Sequence, residues 1–346
     1  MPCSVCEQYP ERLQGSVDIH FWPPLNHSAD KLATALAVPT ELLPDGRMVA
    51  RMTYEAFEQV AQTLGQVLSI EERRGIRVLM LPAGQAPGLG DVRAIRSLEG
   101  LIGLIEATWL IEAVRNGQTR VDLAPIVHAD DTSERFGAIA TLEVGANDGR
   151  PLSGARDIYE TAARAGLLFQ VDCSCRLAAI DAMAAAGEGV TTFIPFAPAS
   201  IYDPAYCLRS TVAAVEKHGL KHRDVVFTVA SRDPVRDPEH LRNVLNFYRD
   251  AGFPTALAEI GGAFGSFDLL QMLRPDYLVL ASTLTDGIAR DPYRDVIARK
   301  VLEIAQRLDI ETLATEIDRA EDADWLYRHG INYLSGSFTT VASDHG

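Results

Sequence analysis

The chain has 346 residues, 47% of them hydrophobic and 23% charged, which is enough apolar content for a sizeable core and enough length for one barrel of about 240 residues plus a smaller domain. Its formal charge of -15, with no Lys/Arg-rich run, excludes nonspecific binding to nucleic acid or anionic lipid, because a polyanion needs a basic face to displace its counterions. No apolar run reaches the roughly 18 to 20 residues of a membrane span, and the stretch Met1-Pro2-Cys3-Ser4-Val5-Cys6-Glu7 lacks the basic and apolar regions of a signal peptide, so a cytoplasmic location is expected.

Val17 to Trp22 alternates like a strand and stops at Pro23-Pro24. Tyr54 to Leu68 has the spacing of an amphipathic helix, with Phe57, Val60, Leu64 and Val67 on one face, and Arg77 to Leu81 reads as a buried strand. Pro82 to Gly90 is a Gly/Pro loop, and a helical run broken at Gly100 and Gly103 follows from Val92 to Arg115 as a connection between domains. Residues 1–105 thus read as a small N-terminal α/β domain, regulatory or structural, without a catalytic motif. The five cysteines are an odd number in a large chain and make no disulfide framework. Cys3 and Cys6 form a Cys-x-x-Cys, but a zinc site needs two further ligands, and a reduced tail is the plainer reading.

From residue 106 onward, short strands alternate with helical patterns. Strands are expected near Val121–Val127, Gly137–Val144, Thr191–Phe196, Val225–Val229, Thr255–Ala258, Tyr277–Leu280, Glu311–Ala314 and Ile331–Leu334. Helices are expected at Asp157–Ala165, Gln170–Ala186, Tyr206–Lys217, Pro238–Asp250, Leu269–Arg274, Asp291–Leu308 and Ala320–His329. Eight strands with interleaved helices suggest a (β/α)8 TIM-like barrel over 106–346, and the short step from Val127 to Gly137 makes the first pair a hairpin with one strand antiparallel. His218 and His222 are four apart, but Gly219 interrupts any helix there, so both read as surface residues.

The stretch from Phe247 to Ser282, with Glu259-Ile260-Gly261-Gly262-Ala263-Phe264-Gly265-Ser266 at its centre, resembles the segment of the bacterial EAL domain that reads Asp-Asp-Phe-Gly-x-Gly-Tyr-Ser-Ser-Leu before a Lys-x-Asp strand. The resemblance covers roughly 106–342. It implies a barrel-type phosphodiesterase that hydrolyses cyclic di-GMP with two divalent cations, Mg²⁺ or Mn²⁺, and a homodimer through the barrel helix and loop near this stretch. Hard cations need carboxylate and amide oxygens at the strand ends. Carried over position by position, the metal and catalytic positions hold Ile139, Pro195, Thr228, Ala258, Glu259, Val279, Thr315 and Ser335, with Ser231 and Ala281 at two further acidic positions. Keeping Gly149 as the glycine of the following loop puts Ile139 on the signature Glu and Glu143 on the phosphate-binding Arg. A register with Glu143 on the signature Glu shortens the path to Gly149 by four residues, and loop length favours the first.

Ile, Pro, Ala and Val offer no oxygen to a cation, so no cofactor is expected. Reversing Arg to Glu at position 143 sets two negative charges against each other, worth about 4 kcal/mol at an effective dielectric of 20 and 4 Å, which disfavours cyclic di-GMP. Candidate relict rim acids are Glu143, Glu259, Glu316 and Asp318, more often solvated or structurally paired acids than ligands. The expectation is a catalytically inactive EAL protein acting as a regulatory module for a protein partner. The alternatives are a cyclic di-GMP receptor without hydrolysis, and a residual phosphodiesterase using those four acids.

Overall fold

The computed structural model describes residues 9–10, 12–145, 153–187, 189–230, 237–262 and 267–337. In chain order the first elements are β1 (Ser16–Trp22), α1 (Asn26–Leu36), β2 (Thr40–Leu42), β3 (Met48–Thr53), α2 (Tyr54–Val67), α3 (Ile70–Gly75), β4 (Arg77–Pro82), β5 (Arg96–Ser97), α4 (Leu98–Glu106) and α5 (Thr108–Arg115). There follow β6 (Thr119–His128), β7 (Arg135–Val144), β8 (Ser153–Gly154), α6 (Ala155–Ala165), α7 (Leu168–Ala186), β9 (Thr191–Phe196), α8 (Pro204–Cys207) and α9 (Arg209–Lys217). The chain continues through β10 (Val225–Ala230), α10 (Pro238–Asp250), β11 (Thr255–Ile260), α11 (Phe267–Leu273), β12 (Tyr277–Leu280), α12 (Ser282–Thr285), α13 (Pro292–Arg307), β13 (Glu311–Ala314), α14 (Ala320–Arg328) and β14 (Tyr333–Leu334). Two compact units result, one from Cys3–Gln118 with Ala146–Val171, the other from Thr119–Gly145 with Asp172–Gly346.

The first unit carries an antiparallel sheet in the order β2-β3-β1-β4-β5, a split βαβ arrangement. Strand alternation sends Val17, Ile19 and Phe21 to one face, where they meet Leu32 and Leu36 of α1 and Phe57, Ala61 and Leu64 of α2. The expected break of the 92–115 run at Gly100 and Gly103 is corrected. The interruptions fall at the short strand β5 and at Ala107, and Gly103 lies inside α4. A Cβ at Gly103 would strike the Arg164 backbone, so this glycine serves the close crossing of α4 and α6.

On the other face of β1, Asp18 accepts from Arg51 Nε at 2.6 Å and from the Gly84 amide at 2.7 Å. The Arg51 guanidinium, first, and the Gly84 amide hold its carboxyl down at about 2 against the opposing effect of burial. Next to it His20 Nδ1 lies 3.4 Å from Arg47 Nη1, and burial followed by the Arg47 charge lowers its pKa.

In the second unit, β6, β14, β13, β12, β11, β10, β9 and β7 close into an eight-stranded barrel. β6 is antiparallel to both of its neighbours, β7 and β14, and the other neighbouring pairs are parallel, so the expected hairpin and the single reversed strand are present. The expected helix 206–217 is instead two, α8 and α9, separated by Leu208. His218 is exposed and bonds Asp181, but His222 is half-buried, stacked on Phe253 with centroids 4.3 Å apart, which corrects its reading as a surface residue.

Behind the wall, Asp172 and Arg176 of α7 form a fully buried ion pair. Asp172 also accepts from the Ala197 amide at 2.8 Å and from Ser200 Oγ at 3.1 Å, and Arg176 Nε donates to Thr211 at 3.2 Å. The pair therefore fixes the loop that leaves β9. Burial pushes the neighbouring Tyr248 hydroxyl far above the tyrosine range, with the Arg176 charge opposing.

Removing one partner of such a pair strands the other charge. Arg176→Ala should cost about 3 to 5 kcal/mol in urea unfolding, and pairing Arg176→Met with Asp172→Leu should recover most of the loss. Because the folded pKa of Asp18 lies below its unfolded value, the stability it contributes is present above pH 4 and lost as pH falls toward about 2. Asp18→Asn should be less stable than the parent at pH 7 by about 1 kcal/mol, a figure discounted for the exposed Arg51 side chain, and the gap should close in melts between pH 4 and 2.

Candidate functional site

Alternation along the barrel strands selects the inward side chains. One cluster, Ile126, Phe193, Val226, Ala256, Val279, Leu313 and Tyr333, packs with Phe136, Ile139, Ala258 and Tyr277, so every strand of the ring contributes to an apolar lumen. At the base, Phe136 stacks on Tyr333 at 3.8 Å, with His128 edge-on to both. Tyr333 Oη donates to Glu311 at 2.9 Å. Burial, then the Glu311 charge, pushes Tyr277 up to about 12, and burial with the Glu311 hydrogen bond raises Tyr333 further. This base went unread in the sequence, where its only mark is an aromatic residue at or near the start of three strands.

At the opposite end, where parallel-barrel chemistry is sited, Ile139, Ala258 and Val279 share the lumen cluster. Pro195 and Thr228 face each other in register between β9 and β10, each two residues beyond a lumen side chain, Phe193 and Val226. Thr228 Oγ1 is buried without a hydrogen-bond partner. Thr315 and Ser335 follow directly on β13 and β14, and Ser335 is buried, with its amide donating to Ala314 and its carbonyl accepting from the Ile317 amide.

The acids do not share this setting. Glu259 lies in a β-bulge of β11 against β12, with φ 64°, so the side chain after Ala258 is re-aimed, and its Oε2 lies by Gly262. Glu316 is exposed at φ 57°, and Asp318 is exposed and accepts from Ser337 Oγ at 2.6 Å. Glu143 sits four residues beyond Ile139 in the part of the β6–β7 hairpin opposite Arg120, about 13 Å further along the strand. Among the described residues, no group of three or more His, Cys, Asp or Glu is placed to hold a metal ion. The donor set at this end, Ile, Pro, Thr, Ala and Val, does not fit a pair of hard cations. Cys3, Cys6, Gly149, Ser231 and Ser266 lie outside the described residues.

A profile of the EAL domain matches residues 107–340. The probable cyclic di-GMP phosphodiesterase PdeG of Escherichia coli K12 is 25% identical over 241 residues, covering 66% of this chain and 45% of that protein. The probable cyclic di-GMP phosphodiesterase PdeD of the same organism is 28% identical over 114 residues, 33% of this chain and 21% of PdeD. The chain thus matches less than half the length of either relative. Among solved structures, a standalone EAL protein from Vibrio cholerae O395 in its c-di-GMP bound form has a TM-score of 0.56 at 24% identity, covering 63% of this chain and 89% of that one. The apo S helix-GGDEF-EAL portion of Vibrio cholerae LapD has a TM-score of 0.59 at 15% identity, covering 94% and 89%. Both are likenesses of fold.

The left-handed backbone at Glu316 gives a direct test of local strain. Glu316→Gly should raise stability by about 0.5 to 1 kcal/mol in urea unfolding, since an exposed side chain is lost and the positive φ no longer opposes a Cβ.

Proposed function

Because the chain belongs to the EAL domain family, we propose that it is a catalytically silent member, a cytoplasmic regulatory module that binds a protein partner in bacterial signalling. The observation that carries this reading is the chemistry of the inward side chains at the strand ends. Ile139, Ala258 and Val279 belong to an apolar cluster, and Pro195 and Thr228 are neutral. A two-metal hydrolysis needs anionic oxygens there to replace the hydration shells of both cations. The Glu143, Glu259, Glu316 and Asp318 set is a weak substitute, because Glu316 and Asp318 are exposed, Glu259 lies in a bulge and Glu143 stands about 13 Å along the strand from Ile139. Residues 1–105 would supply the sensing or partner-binding part, and a second copy of the chain remains a candidate partner.

A receptor that binds cyclic di-GMP without cutting it is the second reading, favoured by solved relatives of the same fold whose EAL domains hold that nucleotide. The inward side chains Ile139, Pro195, Thr228, Ala258 and Val279 include no base to meet its phosphates, which counts against it.

Purified chain incubated with cyclic di-GMP and Mn²⁺ or Mg²⁺ should give no linear product above a protein-free control. Calorimetry with the nucleotide should give no binding heat in the low-micromolar range. Turnover would overturn the silent reading, and binding heat without turnover would establish the receptor in its place.

A further inference from the structure

The inward side chains form two layers that differ in contact with solvent. In the deeper layer Phe193, Val226, Ala256 and Leu313 are at most 1% exposed. In the layer above, Ile139, Pro195, Thr228, Ala258 and Thr315 are half-buried. Side chains on the inner wall of a closed ring meet solvent only if the ring is open above them. The upper layer is therefore the wall of a cup and the lower layer its floor.

The lining defines what would fit. Ile139, Pro195 and Ala258 of this layer are apolar, and among the described residues of the wall there is neither Lys nor Arg, so the wall itself offers an anion no counter-charge. Glu259 and Glu316 follow the strands that carry two of these positions, which disfavours an anion further. One polar group is unsatisfied: Thr228 Oγ1 is buried without a partner, its in-register neighbours being Pro195 and Ala256. Native structures rarely leave a buried hydroxyl unpaired. Preformed apolar pockets with a few polar groups are the usual form of small-molecule sites.

We infer that the barrel mouth is a binding cup for a small, uncharged, largely apolar molecule with one hydrogen-bonding atom that meets Thr228 Oγ1. This rests on the silent reading, since a mouth holding two cations would have no such lining.

The full chain is titrated calorimetrically with indole, which is neutral and carries one N–H, and with indole-3-acetate, its anionic counterpart. Indole should bind, and indole-3-acetate should bind at least about tenfold more weakly. Ala258→Leu, which fills the cup, should weaken indole at least about tenfold, and Thr228→Val, which keeps the shape and removes the hydroxyl, about fivefold. Circular dichroism melts verify that the variants fold, and Ile139→Phe on another strand serves if Ala258→Leu does not. No binding of indole by the parent chain, or binding unchanged by filling the cup, overturns the inference. Unchanged binding by Thr228→Val overturns the role of the hydroxyl, and equal binding of indole-3-acetate overturns the charge selectivity. The same preparation is assayed for cyclic di-GMP hydrolysis with Mn²⁺: absence of both turnover and indole binding removes the cup alone, whereas turnover removes the silent reading and the cup with it.

Discussion

The barrel depends on a narrow seam. A parallel ring of strands has to end somewhere, and here it closes through β6, which runs against both neighbours. On one side the contact is long, from Thr119↔Val144 to Val127↔Arg135. On the other side it is two residues, Tyr333↔His128 and Leu334↔Val127. That short pairing is extended by the Ala129 amide, which donates to the Asn332 carbonyl at 2.9 Å, while on its other side β14 is tied to β13, where the Asn332 side chain accepts from the Thr312 amide and hydroxyl and the Ser335 amide donates to Ala314. From inside, Phe136, His128 and Tyr333 pack across the same junction. Without this closure the alternating side chains would have no lumen to face.

The ring is also held by close backbone contacts away from the seam. The wall is constrained by backbone geometry at a few points. A Cβ at Gly137 would run into the Thr191 carbonyl and part β7 from β9, and one at Gly336 would meet the Ile317 backbone. At the strand ends the constraint is side-chain packing, with Ile139, Ala258 and Val279 in the lumen cluster and Ser335 buried. The ring is closed with Ile139, Pro195, Ala258 and Val279 at the inward positions of this end.

Much of this architecture is readable in the residue order. Thr191–Phe196, Tyr277–Leu280 and Glu311–Ala314 are apolar or β-branched runs between turn residues, and they coincide with β9, β12 and β13. The last strand is less legible, because Ile331 and Asn332 lie outside the ladder and only Tyr333 and Leu334 pair. In the first unit α1, β2, β3 and α3 went unread. α1 follows Pro23-Pro24 and has no side-chain cap at Leu25, and β2 is three largely exposed residues, so neither carries a strong local signal. At the mouth, the positions follow from the resemblance to the EAL segment carried over residue by residue, not from alternation, and Ile139, Ala258 and Val279 of that set lie among the lumen side chains. The directions of the acids were not legible, because Glu259 and Glu316 adopt a left-handed backbone that ordinarily calls for glycine, and a Glu in the sequence gives no sign of it.

The aromatic stack at the base has one more consequence. Phe136, Tyr277 and Tyr333, tied to Glu311, stop the lumen from below. The barrel is a cul-de-sac rather than a conduit: the stacked rings leave no passage from one end of the ring to the other.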